Sequence, residues 1–331
     1  MSQHFLQKVV QNCIAKFSNF ENVVFLIPNK RAIVFIKEEL RIANFKGILP
    51  QFFTIEEWKE FLAQRQCISG ITLWIEAYKC YTEIADESLD SFLKWIPTSL
   101  KDFDDIDMFI ENHTDFFQYM ISKERIDNWN LDVIPENSLM EKDILFWEKL
   151  HLLYQKLNQY LEEKNLATQG QINKLALQNS EYYCKKNTDL QIVCIGFNAF
   201  NPKEEKLLQV FKTNGKLHFF WDADLYYLNN KEQESGIFLR RNFSIFNQNT
   251  NEVSFVGNNF LQPKKMESYA CTQQVSQAKT LANLLKNISD EELQQTAIVL
   301  CDETLLSLVL QSLPQNVKNV NKRIKSISIS K

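Results

Sequence analysis

The stretch LQIVCIGF at residues 190–197 constrains the chain more than any other. It is too short for a helix and rich in β-branched residues, and its near-continuous apolarity leaves no polar face. It therefore predicts a strand buried on both sides, as in the middle of a parallel sheet. The next segment reads as a helix with defined ends: Asn201 as N-cap, Pro202 at the first position, Glu204 and Glu205 in the positive first turn, and Gly215 past the last turn. KLHFFWDAD then predicts another strand. Strand, helix, strand with these boundaries is a right-handed βαβ unit, so the fold class is α/β.

The same alternation opens the chain. MSQHFLQKVVQNCIAKF gathers Phe5, Leu6, Val9, Val10, Cys13, Ile14 and Phe17 on one helical stripe, a packing helix without a signal-peptide core. Val23–Ile27 reads as a buried strand and Arg31–Ile42 as a helix with Ala32, Phe35, Ile36 and Leu40 at helical spacing. After a turn at residues 47–50 comes QFFTIEEW, a short strand whose Thr54 and Glu57 have capping-box spacing. From 71 to 184 helical stripes such as Trp74/Tyr78/Tyr81 and Phe146/Leu150/Leu153/Leu157 prevail and no strand is predicted; Ser138/Glu141 and Thr168/Gln171 mark helix starts. The sheet domain is thus discontinuous, 1–70 plus 185–245, around a helical insertion at 71–184. Residues 243–263 are Asn-rich and suit a linker. Within 246–331, strands at 266–271 and 296–301 alternating with helices at 273–286 and 304–313 predict the start of a second α/β unit.

Composition narrows the function classes. A net charge of −4 sets up no global basic field, so a nucleic-acid contact would have to come from a local cluster. The seven cysteines are odd in number and nowhere form C-x-x-C, which reads as reduced, mostly buried thiols. No apolar stretch is long enough to span a bilayer, and the chain reads as cytoplasmic.

In an open parallel sheet ligands sit at the carboxyl ends of the strands. A phosphate loop needs G-x-x-x-x-G-K-[ST], and no glycine here begins one. A magnesium site needs a carboxylate closing an apolar strand, yet VCIGFNAF places Gly196 and Asn198 there. No nucleotide cofactor or metal is therefore expected. A PD-(D/E)XK nuclease site also fails, because the [DE]-x-K matches Glu57-Trp58-Lys59 and Glu204-Glu205-Lys206 fall on predicted helices. The run KDFDDIDMFIEN lacks calcium-loop spacing and reads as a solvated helix end. Asp222 and Asp224, two apart at a strand end, read as a polar strand end in preference to a metal pair, and His4, His113, His151 and His218 read as structural. Asn29, Lys30 and Arg31 remain, where a strand ends and a helix begins. Two cations beside helix N-terminal amides either grip an anion such as a nucleic-acid phosphate or stand solvated. Arg240 and Arg241 form a second basic pair.

Taken in order, VVFLIPNKRAIVFIKEEL, FFTIEEW, LKDFDDID, IVCIGFNAFNPKEEKLL and WDADLYYLNNKEQESGIFLRRN resemble the N-terminal half of the AddB-like proteins of Bacteroidetes. These are inactivated superfamily 1 helicases that carry a PD-(D/E)XK nuclease domain at the far C-terminus. The resemblance runs from residue 1 to about 313. It implies a RecA-like (P-loop NTPase-like) first domain with a helical insertion, the start of a second RecA-like domain, and a role in recombinational DNA repair. By that analogy Pro28, Asn29, Lys30 and Arg31 match the turn that touches the backbone of single-stranded DNA. The chain stops before the nuclease domain, and NKRIKSISISK fits neither the family pattern nor a completed RecA-like domain, so a truncated product or fragment is expected. Three functions are compatible with these features: a non-hydrolysing, helicase-like DNA-binding scaffold; a module docking a partner subunit of a helicase-nuclease without contacting DNA; and, weakest, a degenerate nucleotide-binding enzyme.

Overall fold

Apolar five-residue runs in this chain do become central strands where a ladder partner exists. The computed structural model describes residues 5–17, 19–122, 139–246, 256–294, 296–314 and 317, and the chain divides into two compact units, 1–261 and 262–331.

The first unit opens with α1 (Phe5–Lys16), β1 (Val23–Ile27), α2 (Arg31–Ile42), β2 (Gln51–Thr54), α3 (Ile55–Ala63) and β3 (Gln66–Cys67). A helical segment comes next, with α4 (Gly70–Tyr81), α5 (Leu89–Phe92), α6 (Ile96–Phe109), α7 (His113–Ile121) and α8 (Leu139–Glu163), then β4 (Leu166–Ala167) and α9 (Gln169–Lys186). The chain returns through β5 (Gln191–Ile195), α10 (Pro202–Thr213) and β6 (Leu217–Phe220) to β7 (Ala223–Asp224), α11 (Leu225–Asn229), α12 (Ile237–Ile245) and β8 (Val256–Gly257).

Four strands form one parallel sheet in the order β2-β1-β5-β6. Successive side chains point to opposite faces, and both faces are covered. Val24, Leu26, Ile192 and Cys194 pack with Trp58, Leu62, Ile172, Leu208 and Phe211 from α3, α9 and α10. Val23, Phe25, Ile27, Val193 and Ile195 pack with Val9, Val10 and Cys13 of α1 and Ile36 and Leu40 of α2. That double burial is why the central runs carry no polar alternation. Phe35, by contrast, points outward at 61% exposure, because the sheet-facing stripe of α2 is taken by Ile36 and Leu40.

The caps anticipated from sequence hold α3 and α10. Thr54 and Glu57 bond reciprocally, and Asn201 does the same with Glu204 ahead of Pro202. At α9 the Thr168 amide donates to Gln171, while the Thr168 hydroxyl reaches across to Asp104. Ser138/Glu141 lies outside the described residues.

The helical segment has its own core, including Leu73, Ala77, Phe92, Leu100, Phe103, Phe117, Leu153 and Leu157. Its two chain crossings are stapled by the parallel pair β3/β4, Gln66 opposite Leu166 and Cys67 opposite Ala167, so a short strand does interrupt the 71–184 stretch. The DFDDID run is solvated only in part, at Asp102 and Asp105. It occupies the interior of α6, where Asp104 accepts from the Thr168 hydroxyl at 2.6 Å and the Gly170 amide at 2.7 Å, and Asp107 is buried. Gly170 permits that approach, since a Cβ there would sit 2.6 Å from the Asp104 carbonyl oxygen.

The linker expected from residue 243 begins later. Phe243 and Phe246 pack into the sheet core, and β8 pairs in parallel with β7. In the second unit α13 (Gln274–Lys286), α14 (Asp290–Gln294) and α15 (Leu306–Ser312) form, with a small core of Ala278, Leu285, Val309 and Leu313. Residues 266–271 and 296–301 are not strands: among the described residues neither has a ladder partner, and an extended backbone without one gains nothing over solvent.

Candidate functional site

The order β2-β1-β5-β6 reverses direction between β1 and β5, which makes their carboxyl ends the topological switch point of the sheet. Two turns meet that description. After β1 come Pro28, Asn29 and Lys30, and after β5 come Gly196, Phe197 and Asn198.

Asn29 shapes the first turn, its side-chain oxygen accepting from the Ala32 amide at 3.2 Å. Lys30 stands at the N-cap position of α2, whose first turn carries no acidic residue, so the positive end of the helix is not neutralised locally. The Lys30 ammonium lies 2.5 Å from Glu57 Oε1, with 72% and 36% of the two side chains exposed. Glu57 thus serves two partners, the Thr54 amide and Lys30. Hydrogen bonding to Lys30 foremost, then to Thr54, holds its carboxyl below the ordinary range and raises Lys30 in turn. An exposed pair of this kind adds little to stability and leaves the ammonium within reach of a competing anion. Arg31 begins α2 itself.

On the β5 side Gly196 has φ +71°, a conformation that side chains other than glycine seldom adopt. A cavity of about 490 Å³ opens beyond the ends of β5 and β6, lined by Phe5, Lys8, Asn198, Asp222, Asp224 and Ser235 among others. Burial pushes the Asp222 carboxyl up. The strand breaks at Trp221 and Asp222, so the two aspartates do not share one regular strand. Asp224 is a cap: it accepts from the amides of Tyr226 at 3.0 Å, Asn259 at 2.7 Å and Phe260 at 3.0 Å.

Arg240 and Arg241 sit elsewhere, on α12. Arg240 donates to the backbone carbonyls of Tyr227, Asn230 and Gln233 at 2.5–2.9 Å and to Lys231 at 3.4 Å, tying the 227–233 loop to its helix. Arg241 pairs with Glu205 of α10 at 2.8 Å. The sheet-end turn therefore gathers Asn29, Lys30 and Arg31, while the α12 pair is engaged in holding elements of the fold.

Two polar constellations were not anticipated from sequence. Lys59 and Glu204 form a buried pair at 2.6 Å between α3 and α10, with 4% and 9% of their side chains exposed. Both lie inside the [DE]-x-K matches, which meet in space as an ion pair. In the helical segment the Tyr154 hydroxyl donates to Asp107 at 2.8 Å and lies 2.7 Å from His113 Nδ1. Burial, the leading cause in both cases, pushes the Asp107 carboxyl up and the His113 imidazole down, so the pair resists carrying charge.

Burial likewise raises the thiols of Cys13, to about 12, and of Cys194. Among the described residues no group of three or more His, Cys, Asp or Glu side chains is placed to hold a metal ion, and no helix is long and apolar enough to cross a membrane. The chain matches no model of a known protein family and no curated protein.

Proposed function

We propose that the chain is a non-hydrolysing, helicase-like scaffold with a RecA-like sheet domain, related to the AddB-like proteins and serving recombinational DNA repair by holding single-stranded DNA. The observation that supports this reading most is the Pro28–Arg31 turn. It stands at the switch point of a parallel sheet, with helix amides and an ammonium tied only to an exposed carboxylate. The neighbouring strand closes on Gly196 and Asn198 where hydrolysis would need a carboxylate.

The test is salt-dependent binding to a single-stranded oligonucleotide. Replacing Lys30 and Arg31 together by Ala should weaken binding across all sequences and lower the salt slope by about 0.7 for each phosphate the turn no longer neutralises. A double variant with the parental affinity and slope would remove the turn from the interface and with it the reading.

A second reading is a module that docks a partner subunit of a helicase-nuclease without touching DNA. It is favoured by one feature, the outward apolar row on α2, where Val34, Phe35 and Ile42 are 68%, 61% and 58% exposed. Phe35 and Ile42 are seven residues apart and share a helix face. A parent chain that ignores single strands would leave this reading standing.

A further inference from the structure

A large groove of the first unit lies at the other end of the sheet. Helix α3 starts where β2 ends and runs back against the strand direction, while α9 leads into the beginning of β5. Their C-terminal ends therefore meet at the amino ends of the strands, about 14 Å from the Lys30 turn as nine residues of helix measure it. The groove, of about 790 Å³, opens there, with Phe61, Tyr182 and Tyr183 on its wall and Arg65 and Lys186 as its cations.

Its aromatic wall is an unfinished stack. Trp58 is wholly buried, and Phe61 stacks on it with ring centroids 5.4 Å apart and an interplanar angle of 18°. Tyr183 meets the edge of Phe61 at 5.5 Å. Phe61 has no polar tip to satisfy, yet 44% of it stays exposed, and the adjoining Tyr182 is 69% exposed. Two cations border this wall, Lys186 without an ionic partner among the described residues and Arg65 already engaged. Lys186 has its ammonium 5.9 Å from the Tyr182 ring and forms no ion pair among the described residues. Arg65, 28% exposed, donates to the Gln64 carbonyl at 3.2 Å and makes a long ion pair with Glu162 at 3.9 Å. Hydrogen-bonding groups complete the lining: Asn179 donates its amide to the Leu62 carbonyl and Asn187 to that of Tyr183, which leaves each side-chain oxygen as an acceptor. Glu60 is the acidic member of the lining.

Open aromatic faces beside cations and amide groups are the chemistry that holds unstacked bases, the rings taking base planes and the cations the connecting phosphates. We infer that this groove binds a short single-stranded nucleic-acid segment, with bases stacked on Phe61 and Tyr182 and phosphates facing Lys186 and Arg65. The inference rests on the single-strand reading above and adds a second contact, at the opposite end of α3 from the first.

The experiment uses the full chain with a fluorescent oligothymidylate of about 12 nucleotides and its oligouridylate counterpart, which separate DNA from RNA as the source of the single strand. Tyr182→Ala and Phe61→Ala should each weaken binding about 5- to 150-fold, whereas Tyr182→Phe, which keeps the ring, should bind like the parent. Tyr182→Leu keeps apolar area without a π face and should behave like the alanine variant. Tyr182 is exposed, so its variants retain the parental melting temperature, which controls for folding. The tryptophan fluorescence change on binding should be lost in Trp58→Phe. If the aromatic variants bind like the parent while the Lys30/Arg31 variant is weakened, the groove is overturned and the scaffold reading stands. Tyr182→Leu binding as tightly as the parent would replace stacking by apolar docking, as of a peptide, and overturn it too. A parent that binds neither oligonucleotide takes down the scaffold reading and this one with it.

Discussion

The strands β1 and β5 and the segment 296–301 start from similar apolar, β-branched material and end differently, and the more polar segment 266–271 ends as 296–301 does. VVFLI at β1 is buried at every position, whereas in TAIVLC Val299 is 83% exposed, and in MESYAC Met266 is 86% exposed. Apolar, β-branched composition does not separate VVFLI from TAIVLC. The neighbour does: β1 has β2 on one side and β5 on the other, with helices over both faces, and the two C-terminal segments have no ladder among the described residues. Strand formation in this chain is thus a property of the sheet and depends on partners more than on propensity.

The contrast breaks or holds most visibly in amide exchange. Amides of β1 and β5 should exchange at least about a thousandfold more slowly than those of 266–271 and 297–301, because the former open only with much of the unit while the latter are already open to solvent. Equal protection in the four segments, read by mass spectrometry of the whole chain, would place the C-terminal segments in a ladder and end the distinction.

Substitution sharpens it on an energy scale. Leu26→Ala removes a fully buried side chain from the central strand and should cost about 2–5 kcal/mol in urea unfolding. Val299→Ala should change stability by no more than about 0.5 kcal/mol. Comparable losses from the two would show that residue 299 is packed as the strand residues are.

The smallest effect is a pH dependence that originates at His218 in the first unit. His218 accepts from the Lys16 ammonium at 2.9 Å and reaches Gln191 at 2.8 Å. Burial first, then Lys16 and Lys212, lower its pKa from 6.5 to about 4. Between those values the unfolded chain binds a proton that the folded chain does not. Stability is therefore complete above pH 6.5 and is lost as pH falls toward 4. With its partial solvent exposure discounted, His218 contributes about 1–2 kcal/mol to that loss. Chemical denaturation of His218→Gln between pH 7 and 4.5 should show a shallower decline, and an unchanged slope would remove His218 as its source.

Much of the fold was legible because its signals are local. The caps at Thr54 and Asn201, the Pro202 start and the doubly buried runs VVFLI and QIVCI each need only neighbouring residues to be understood. The contacts that were not legible have the opposite character. Asp104 and Asp107 find Thr168, Gly170 and Tyr154 far along the chain, and no local pattern separates such aspartates from solvated ones. Arg240 binds backbone carbonyls, which every residue carries, so nothing in side-chain identity announces it. In the candidate site the position of Asn29, Lys30 and Arg31 at a strand-to-helix turn could be read directly, while the bond from Lys30 to Glu57 depends on β2 lying beside β1.

The register of the central pair has a kinetic consequence. Val23 faces Gln191, so the central ladder of the sheet joins strands roughly 170 residues apart, a closure whose entropy cost would slow assembly across an otherwise disordered connection. The intervening helices pack around a core of their own, and β3 beside β4 brings the two ends of that segment together. Once it has formed, the search for β5 shrinks from a long flexible loop to the short stretches on either side of the staple. The helical segment is thus built as a clasp that shortens the loop the central ladder has to close.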